Sequence, residues 1–223
     1  MSYVAAQIPL DDSCSKPSVA YIVDDEPSVR ESLQFLLGGI GVKTEAFESP
    51  RVFLEQYVPG TPGCLILDLR LPEMTGFDVL DHMRERHIDL PTIVLTGYAT
   101  VPLTVRAMHA GAIDVFEKPH ADQSLLEGVQ HAFAVDRIRR RERAQQQAAR
   151  VRIDRLSPRQ RQVAELMVEG QPTKNIADEL RVAVKTIEAH RKAVMDKTGT
   201  GSVAELVRIW NLASHGIEDD TTS

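Results

Sequence analysis

The sequence predicts an α/β fold, doubly wound around five parallel strands, then a long helix and an all-α module of four short helices. Three observations predict it. Five short apolar runs alternate with helix-period stretches between Val19 and Phe133. The segment Arg137–Arg150 contains good helix formers and no Gly or Pro. The last part of the chain opens on Leu156-Ser157-Pro158-Arg159-Gln160, which supplies an N-cap, a first-turn proline and a capping box.

The apolar runs are VAYIV (19–23), VKTEAF (42–47), CLILD (64–68), TIVLT (92–96) and IDVFE (113–117). Four are continuous or nearly so and rich in Val, Ile and Leu, as strands covered on both faces require. Pro27-Ser28 opens the first helix, which carries Val29, Leu33, Leu36 and Leu37 and stops at Gly38-Gly39. Ser49-Pro50 caps the second, before Val52, Phe53 and Leu54. Gly76 precedes Phe77, Leu80 and Met83, and Thr100 precedes Val101, Val105 and Met108, with Gly111 as the stop.

The fifth helix begins near Asp122 with an apolar face of Leu125, Leu126, Val129, Ala132 and Phe133. Ile138 is the only large apolar residue between Val135 and Val151, too thin for the heptads of a dimeric coiled coil, so a solvated helical linker is expected. Helical throughout, about 28 residues would span roughly 42 Å. Four short helices follow. Ser157 caps the first, with Val163, Leu166 and Met167 on one face and Gly170 at its end. Thr173 is expected to cap the second, with Ile176, Ala177 and Leu180. The third runs from about Val184 to Lys197, and the fourth from Ser202 carries Val203, Leu206, Val207 and Trp210. Tight joints between them suit a helix-turn-helix module. The expected organisation is a flexible tail (1–17), an α/β domain (18–135), a helical linker (136–152), a helix-turn-helix domain (153–215) and a second tail (216–223).

Charge separates the halves. Residues 1–124 carry 9 Lys and Arg against 18 Asp and Glu, whereas residues 151–215 carry 11 against 8. The acidic front and basic back suit different partners, with polyanions a candidate for the back. No run approaches the roughly 20 apolar residues of a membrane span, and the opening segment lacks the basic and apolar regions of a secretory signal. Cys14 in the tail and Cys64 in a strand have unlike settings, against a disulfide or metal site and in keeping with a reducing cytosol.

Ligands of an open parallel sheet bind outside the carboxyl ends of its strands. There the chain places Asp24 and Asp25 after the first strand, Asp68 at the end of the third, Thr96 at the end of the fourth and Lys118 after the fifth. Singly, an Asp after a strand is an ordinary turn former and a loop Lys ordinarily solvated. Jointly, clustered carboxylates repel one another and want a hard divalent cation, for which Mg²⁺ is suited because it takes few carboxylates and completes its shell with phosphate oxygens. Asp68 has the chemistry of a nucleophile forming an acyl phosphate, Lys118 that of a charge balance, and Thr96 that of a hydroxyl donor to a phosphoryl oxygen.

Residues 19–135 resemble the receiver domain of two-component systems, on the motifs VDDEP, ILDLRLPEMTG, VLTGYA and FEKP in the family's order. The resemblance implies a flavodoxin-like sheet of order 2-1-3-4-5. It implies that Asp25, Asp68 and the Arg70 carbonyl hold Mg²⁺ directly, with Asp24 acting more through water. Asp68 would be the phosphoacceptor, supplied by a histidine kinase, and Thr96 and Lys118 would read the phosphate. Departures from the family pattern are informative. Val115 stands where an aromatic ring often swings inward, and Phe116 should face the opposite side of the strand. His120 replaces a frequent Phe. Arg70 and Tyr98 form a bulky pair flanking the site, suited to limiting water access to the acyl phosphate.

The stretch LSPRQRQVAELMVEG followed by TKNIADELRVAVKTIEAHRKAVMDKTG resembles the LuxR-type helix-turn-helix, and with the receiver it is similar to the FixJ/NarL family, FixJ-like branch. On the third short helix Ile187, Val194 and Ala193 should face the core, leaving Lys185, Glu188, Ala189, Arg191 and Lys192 to reach a major groove. The resemblance puts base readout at Glu188, Ala189 and Lys192, with Lys174, Lys185, Thr186, His190 and Arg191 nearer the backbone. Glu would accept from cytosine N4 and Ala touch a thymine methyl. Ala183 stands where relatives carry a capping Ser. Trp210 and Val207 read first as core.

The function implied is a cytoplasmic response regulator. Mg²⁺-dependent phosphorylation of Asp68 would shift the surface around Thr100–Phe116, drive homodimerisation and control binding to a double-stranded DNA operator. The histidine kinase is one partner and RNA polymerase a further candidate; no membrane partner is expected. The chain would be a self-phosphorylating and autodephosphorylating acceptor rather than a metabolic enzyme. Two alternatives remain: a phosphorelay or sink protein acting through protein contacts, and a phosphatase-like enzyme on the same fold, for which no second catalytic acid is apparent.

Overall fold

The computed structural model describes residues 17–119 and 121–214. The tails expected over 1–17 (all but Pro17) and 216–223, Cys14 and His120 lie outside the described residues. Contacts divide the chain into two units, at Arg139/Arg140.

The first unit is built on strands β1 (Val19–Val23), β2 (Lys43–Phe47), β3 (Gly63–Asp68), β4 (Thr92–Thr96) and β5 (Ala112–Glu117). All pair in parallel, in the order β2-β1-β3-β4-β5. The order reverses between β1 and β3, so the carboxyl ends of these two strands flank the switch point. The central strands β1, β3 and β4 are buried throughout, which is why their sequences are continuous apolar runs rather than alternating ones.

Helices α1 (Pro27–Gly38), α2 (Pro50–Gln56), α3 (Gly76–Glu85), α4 (Val101–His109) and α5 (Asp122–Asp154) follow the strands in turn. Alternation splits the core into layers. Tyr21, Val23, Leu65 and Leu67 pack with Phe53, Val79 and Leu80 on one face. Ala20, Ile22, Ile66 and Ile93 pack with Leu33, Leu37, Leu125 and Val129 on the other. Ser49 caps α2 as its sequence predicts, accepting from Val52 N. Thr75 and Asp78 form a complete capping box at α3, a signal the sequence carries as Thr-x-x-Asp.

α5 is one helix of 33 residues. In the first unit the Asp136 carboxylate, 3% exposed, accepts a 3.1 Å hydrogen bond from Gly63 N at the start of β3. Burial, and then the charge of Asp136, push the neighbouring Cys64 thiol up to about 12.

The second unit comprises the last turns of α5 with α6 (Pro158–Val168), α7 (Thr173–Glu179), α8 (Val184–Thr198) and α9 (Val203–Ser214). Ala149 and Ile153 of α5 join its core with Leu156, Val163, Met167, Ile176, Ile187, Val194, Leu206 and Ile209. Ala149, within the segment expected as a solvated linker, is 4% exposed, and Ile153 is the first core residue after that segment. Ser157 and Gln160 make the predicted capping box of α6. The cap expected of Thr173 is corrected: Pro172 occupies the N-cap, Thr173 is the first helical residue, and no side-chain cap bond forms. Proline's fixed φ and missing N–H suit it to that place. α8 ends on Gly199 at φ 64°, a left-handed cap that glycine adopts without strain.

Candidate functional site

The sheet brings the strand-end residues together. Asp24 and Asp25 follow β1, Asp68 ends the adjacent β3, Thr96 ends β4 and Lys118 follows β5. The register places Asp68 opposite Leu95 and Thr96 opposite Glu117. Carboxylate oxygens of Asp24, Asp25 and Asp68 lie within 4.8 Å of one another. Lys118 Nζ donates to Asp24 Oδ2 at 2.6 Å and to Asp68 Oδ2 at 2.8 Å. Three carboxylates thus face one ammonium.

Burial sets the electrostatics. Asp24 is 1% exposed and Asp68 5%, while Asp25 is exposed at the rim. Burial holds the Asp24 carboxyl above the ordinary carboxylate range, against the opposing hydrogen bond from Lys118. Burial pulls the Lys118 ammonium down, but its bonds to Asp24 and Asp68 outweigh that and leave it above the ordinary lysine value.

The other carboxylate oxygens of Asp24 and Asp68 are held by backbone. Glu26 N donates to Asp24 Oδ1 at 3.0 Å, and Arg70 N to Asp68 Oδ1 at 3.1 Å. Arg30 Nη1 donates to the Asp24 carbonyl at 2.7 Å, a role that a residue six positions on gives no sequence sign of. Thr96 is buried, its Oγ1 accepting from Tyr98 N at 3.3 Å, and Lys118 N donates to Thr96 O at 2.8 Å. Gly76 also belongs to the frame, since a Cβ there would stand 2.6 Å from the Asp68 carbonyl oxygen.

Arg70 and Tyr98 meet at the rim: the guanidinium carbon lies 5.1 Å from the centroid of the Tyr98 ring, which is 64% exposed. Val115 faces α4, packed with Leu69, Val94, Ala107 and Leu103. Phe116 faces the opposite side, against the α1/α5 layer, as strand alternation requires.

In the second unit, buried Ile187 and Val194 fix the rotation of α8, with Ala193 half-buried beside them. Lys185, Thr186, Glu188, Ala189 and Lys192 are exposed, and His190 and Arg191 half-buried; Lys174 is exposed at the start of α7. Arg159 Nη2 donates to Leu180 O at 2.8 Å and Lys197 Nζ to Gln160 Oε1 at 2.8 Å, ties that brace α6 against the other helices. Ala183 holds the N-cap of α8 with no side-chain bond. Trp210 is half-buried against the core.

Residues 20–130 match the response regulator receiver domain family, and residues 154–210 the luxR family of bacterial regulatory proteins. The chain is 37% identical to nodulation protein W of Bradyrhizobium diazoefficiens, over 87% of this chain and 86% of that one. It is 38% identical to the transcriptional regulatory protein FixJ of Azorhizobium caulinodans, over 91% of this chain and 96% of that one. Among solved structures, the response regulator StyR superposes with a TM-score of 0.78 at 36% identity, covering 88% of this chain and 98% of that one. Full-length FixJ from B. japonicum superposes with a TM-score of 0.54 at 33% identity, covering 90% and 98%.

Proposed function

We propose a function for a chain that belongs to the FixJ-like response regulators, which join a receiver domain to a LuxR-type DNA-binding domain. The family is one of transcription regulators rather than metabolic enzymes. Asp68 is the phosphoacceptor, and its phosphorylation controls dimerisation and operator binding. The observation that carries this reading is the Lys118 ammonium bridging Asp24 and Asp68 beside Asp25 at the switch point of the sheet.

An Asp68 carboxylate oxygen forms a P–O bond as the P–N bond of a kinase phosphohistidine breaks; the electron pair leaves on the imidazole nitrogen, which takes up a proton. Lys118 exchanges a carboxylate for a phosphoryl oxygen, and Thr96, whose Oγ1 accepts from Tyr98 N, donates its hydroxyl to another. The donor set suits Mg²⁺: three carboxylates against one ammonium leave two negative charges, all on hard oxygen ligands. Asp25, Asp68 and the Arg70 carbonyl would hold the ion, with Asp24 through water. When bound it would neutralise charge on the transferred group. Arg70 and Tyr98, stacked at the rim, restrict water and slow autodephosphorylation.

The receiver is assigned to 18–135, the linker to 136–152 and the DNA-binding domain to 153–215. Glu188, Ala189 and Lys192 read bases, and Lys174, Lys185, Thr186, His190 and Arg191 hold phosphates. A histidine kinase, double-stranded operator DNA and a second copy of the chain are the partners, with RNA polymerase a fourth, and the site of action is the cytoplasm. Among the described residues no helix is long and apolar enough to cross a membrane. The test is DNA-binding anisotropy and light scattering with and without acetyl phosphate and Mg²⁺. Tighter binding and dimer formation are expected. Phosphorylation with unchanged DNA affinity and oligomeric state would instead make the chain a relay or sink.

A further inference from the structure

The single aromatic ring of β5 is seated on α5, and α5 is cut to receive it. Phe116 packs in the layer of Ile93, Leu125, Val129 and Ala132. A Cβ built on Gly128 would stand 2.8 Å from Phe116 Cε2 and 2.9 Å from Phe116 Cζ, with Ile93 Cδ1 at 3.7 Å. A glycine in a helix interior is disfavoured against alanine. Here it has a steric reason, because one methyl more would collide with the ring. On the α4 side of β5 the neighbouring position is the aliphatic Val115.

Phe116 is also close in the chain to the charged rim. Lys118, two residues on, is fastened through its backbone N to Thr96 O and through Nζ to Asp24 and Asp68. On the reading of Asp68 as phosphoacceptor, a phosphoryl group would give that ammonium a new anion to meet and would draw the end of β5 with it. Phe116 is half-buried but tight on its Gly128 side, so a displaced ring would open a gap there or shift the helix with it.

We propose that Phe116 and Gly128 form the joint through which phosphorylation is felt by α5. Phe116 is a positioning residue that touches no reacting atom. The proposal rests on the reading of Asp68 as phosphoacceptor, and its test separates the two.

The full chain, Phe116→Leu, Phe116→Met, Gly128→Ala and the Phe116→Leu/Gly128→Ala double variant are treated with acetyl phosphate and Mg²⁺. Intact mass gives phosphate incorporated, hydrogen exchange follows the amides of residues 124–135, and melting gives Tm. In the parent chain phosphorylation changes exchange in this part of α5 by at least about threefold. Phe116→Leu and Phe116→Met incorporate the same phosphate but lose most of that response. Gly128→Ala lowers Tm, and adding Phe116→Leu recovers much of the loss because the methyl then has room. An undiminished exchange response in both Phe116 variants overturns the proposal. So does a phosphorylated parent chain with an unresponsive α5, or a Gly128→Ala loss that is the same in both backgrounds. Failure of the parent chain to gain phosphate is read directly from its mass, and removes the underlying reading together with this one.

Discussion

Lys118 Nζ lies 2.8 Å from Asp68 Oδ2, and the same ammonium reaches Asp24 at 2.6 Å. One cation therefore holds two buried carboxylates together. Removing one partner of a buried ion pair strands the other charge, typically at about 3–5 kcal/mol. Lys118→Met should lower stability by a similar order in chelator, and Mg²⁺ should restore part of it by taking over the carboxylates. Urea unfolding with EDTA and with Mg²⁺ checks this; a loss that Mg²⁺ leaves untouched would show that the ammonium and the ion do not share the site.

Gly76 lets α3 start directly against the chain of Asp68. Its N donates to Leu69 O at 3.1 Å, and a Cβ would meet the Asp68 carbonyl oxygen at 2.6 Å and Leu69 Cα at 2.9 Å. Neither is the end of a flexible side chain, so backbone must move. Gly76→Ala should destabilise by roughly 1–3 kcal/mol, as overpacking does, and slow phosphorylation of Asp68. Parallel measurements of unfolding free energy and phosphorylation rate test the link, and a normal rate in a destabilised variant would detach Gly76 from the site.

Most of the fold was legible because its signals are local. Apolar runs marked the five strands to within a residue at each end, and Ser157-Pro158 with Gln160 marked α6. The carboxylate rim was legible because parallel strands deliver their C-terminal residues to one edge. What sequence did not disclose depends on distance or space. The bond from Gly63 N to Asp136 joins residues 73 positions apart. Arg30 reaches the Asp24 carbonyl only because α1 packs back on β1. Gly128 reads as a weak point in a helix until Phe116 is placed beside it. The misplaced cap at Thr173 arose where two helix-start residues, Pro172 and Thr173, stand side by side.

Arg70 over Tyr98 is a cation–π pair at a solvent-exposed rim, worth about 0.5–1 kcal/mol. If the pair limits water access to the acyl phosphate, that energy corresponds to roughly a two- to fivefold rate difference. Arg70→Ala with Tyr98→Ala should speed autodephosphorylation by about that factor without altering Mg²⁺ affinity, since the substitutions leave the Arg70 carbonyl and the three carboxylates in place. Loss of label from purified phosphoprotein gives the rate, and an unchanged half-life would dismiss the gate.

At α8 two terms separate experimentally. Ala183 sits in the N-cap with φ −65° and ψ 144°, an extended conformation that serine adopts, so Ala183→Ser should stabilise the domain by about 1 kcal/mol. Lys185→Ala, at a proposed phosphate contact, should weaken binding to all DNA and reduce the salt slope by about 0.9. Glu188→Ala, at a proposed base contact, should instead relax discrimination at one base pair by about 1–3 kcal/mol with the salt slope little changed. Binding isotherms over a salt series on operator and random DNA distinguish them; a Glu188→Ala effect equal on both would move that residue out of base readout.

Cys64 supplies a pH dependence of known sign. Its folded thiol is held near about 12 by burial, with the charge of Asp136 adding to the effect, against 9.0 for an ordinary thiol. A raised folded value means the unfolded thiol ionises first. The protein should therefore be unaffected below pH about 8 and lose stability as pH climbs from about 9 toward 12. Between pH 8 and 10 the wild type should lose on the order of 1 kcal/mol more than Cys64→Ala, which has no thiol there to titrate. Tyr21, also raised by burial, is present in both and cancels in the difference. Urea unfolding of the two proteins at both pH values gives the comparison. Parallel pH slopes would mean that the Cys64 thiol ionises as readily inside the sheet as outside it, and that the layer between β3 and α5 is open to water.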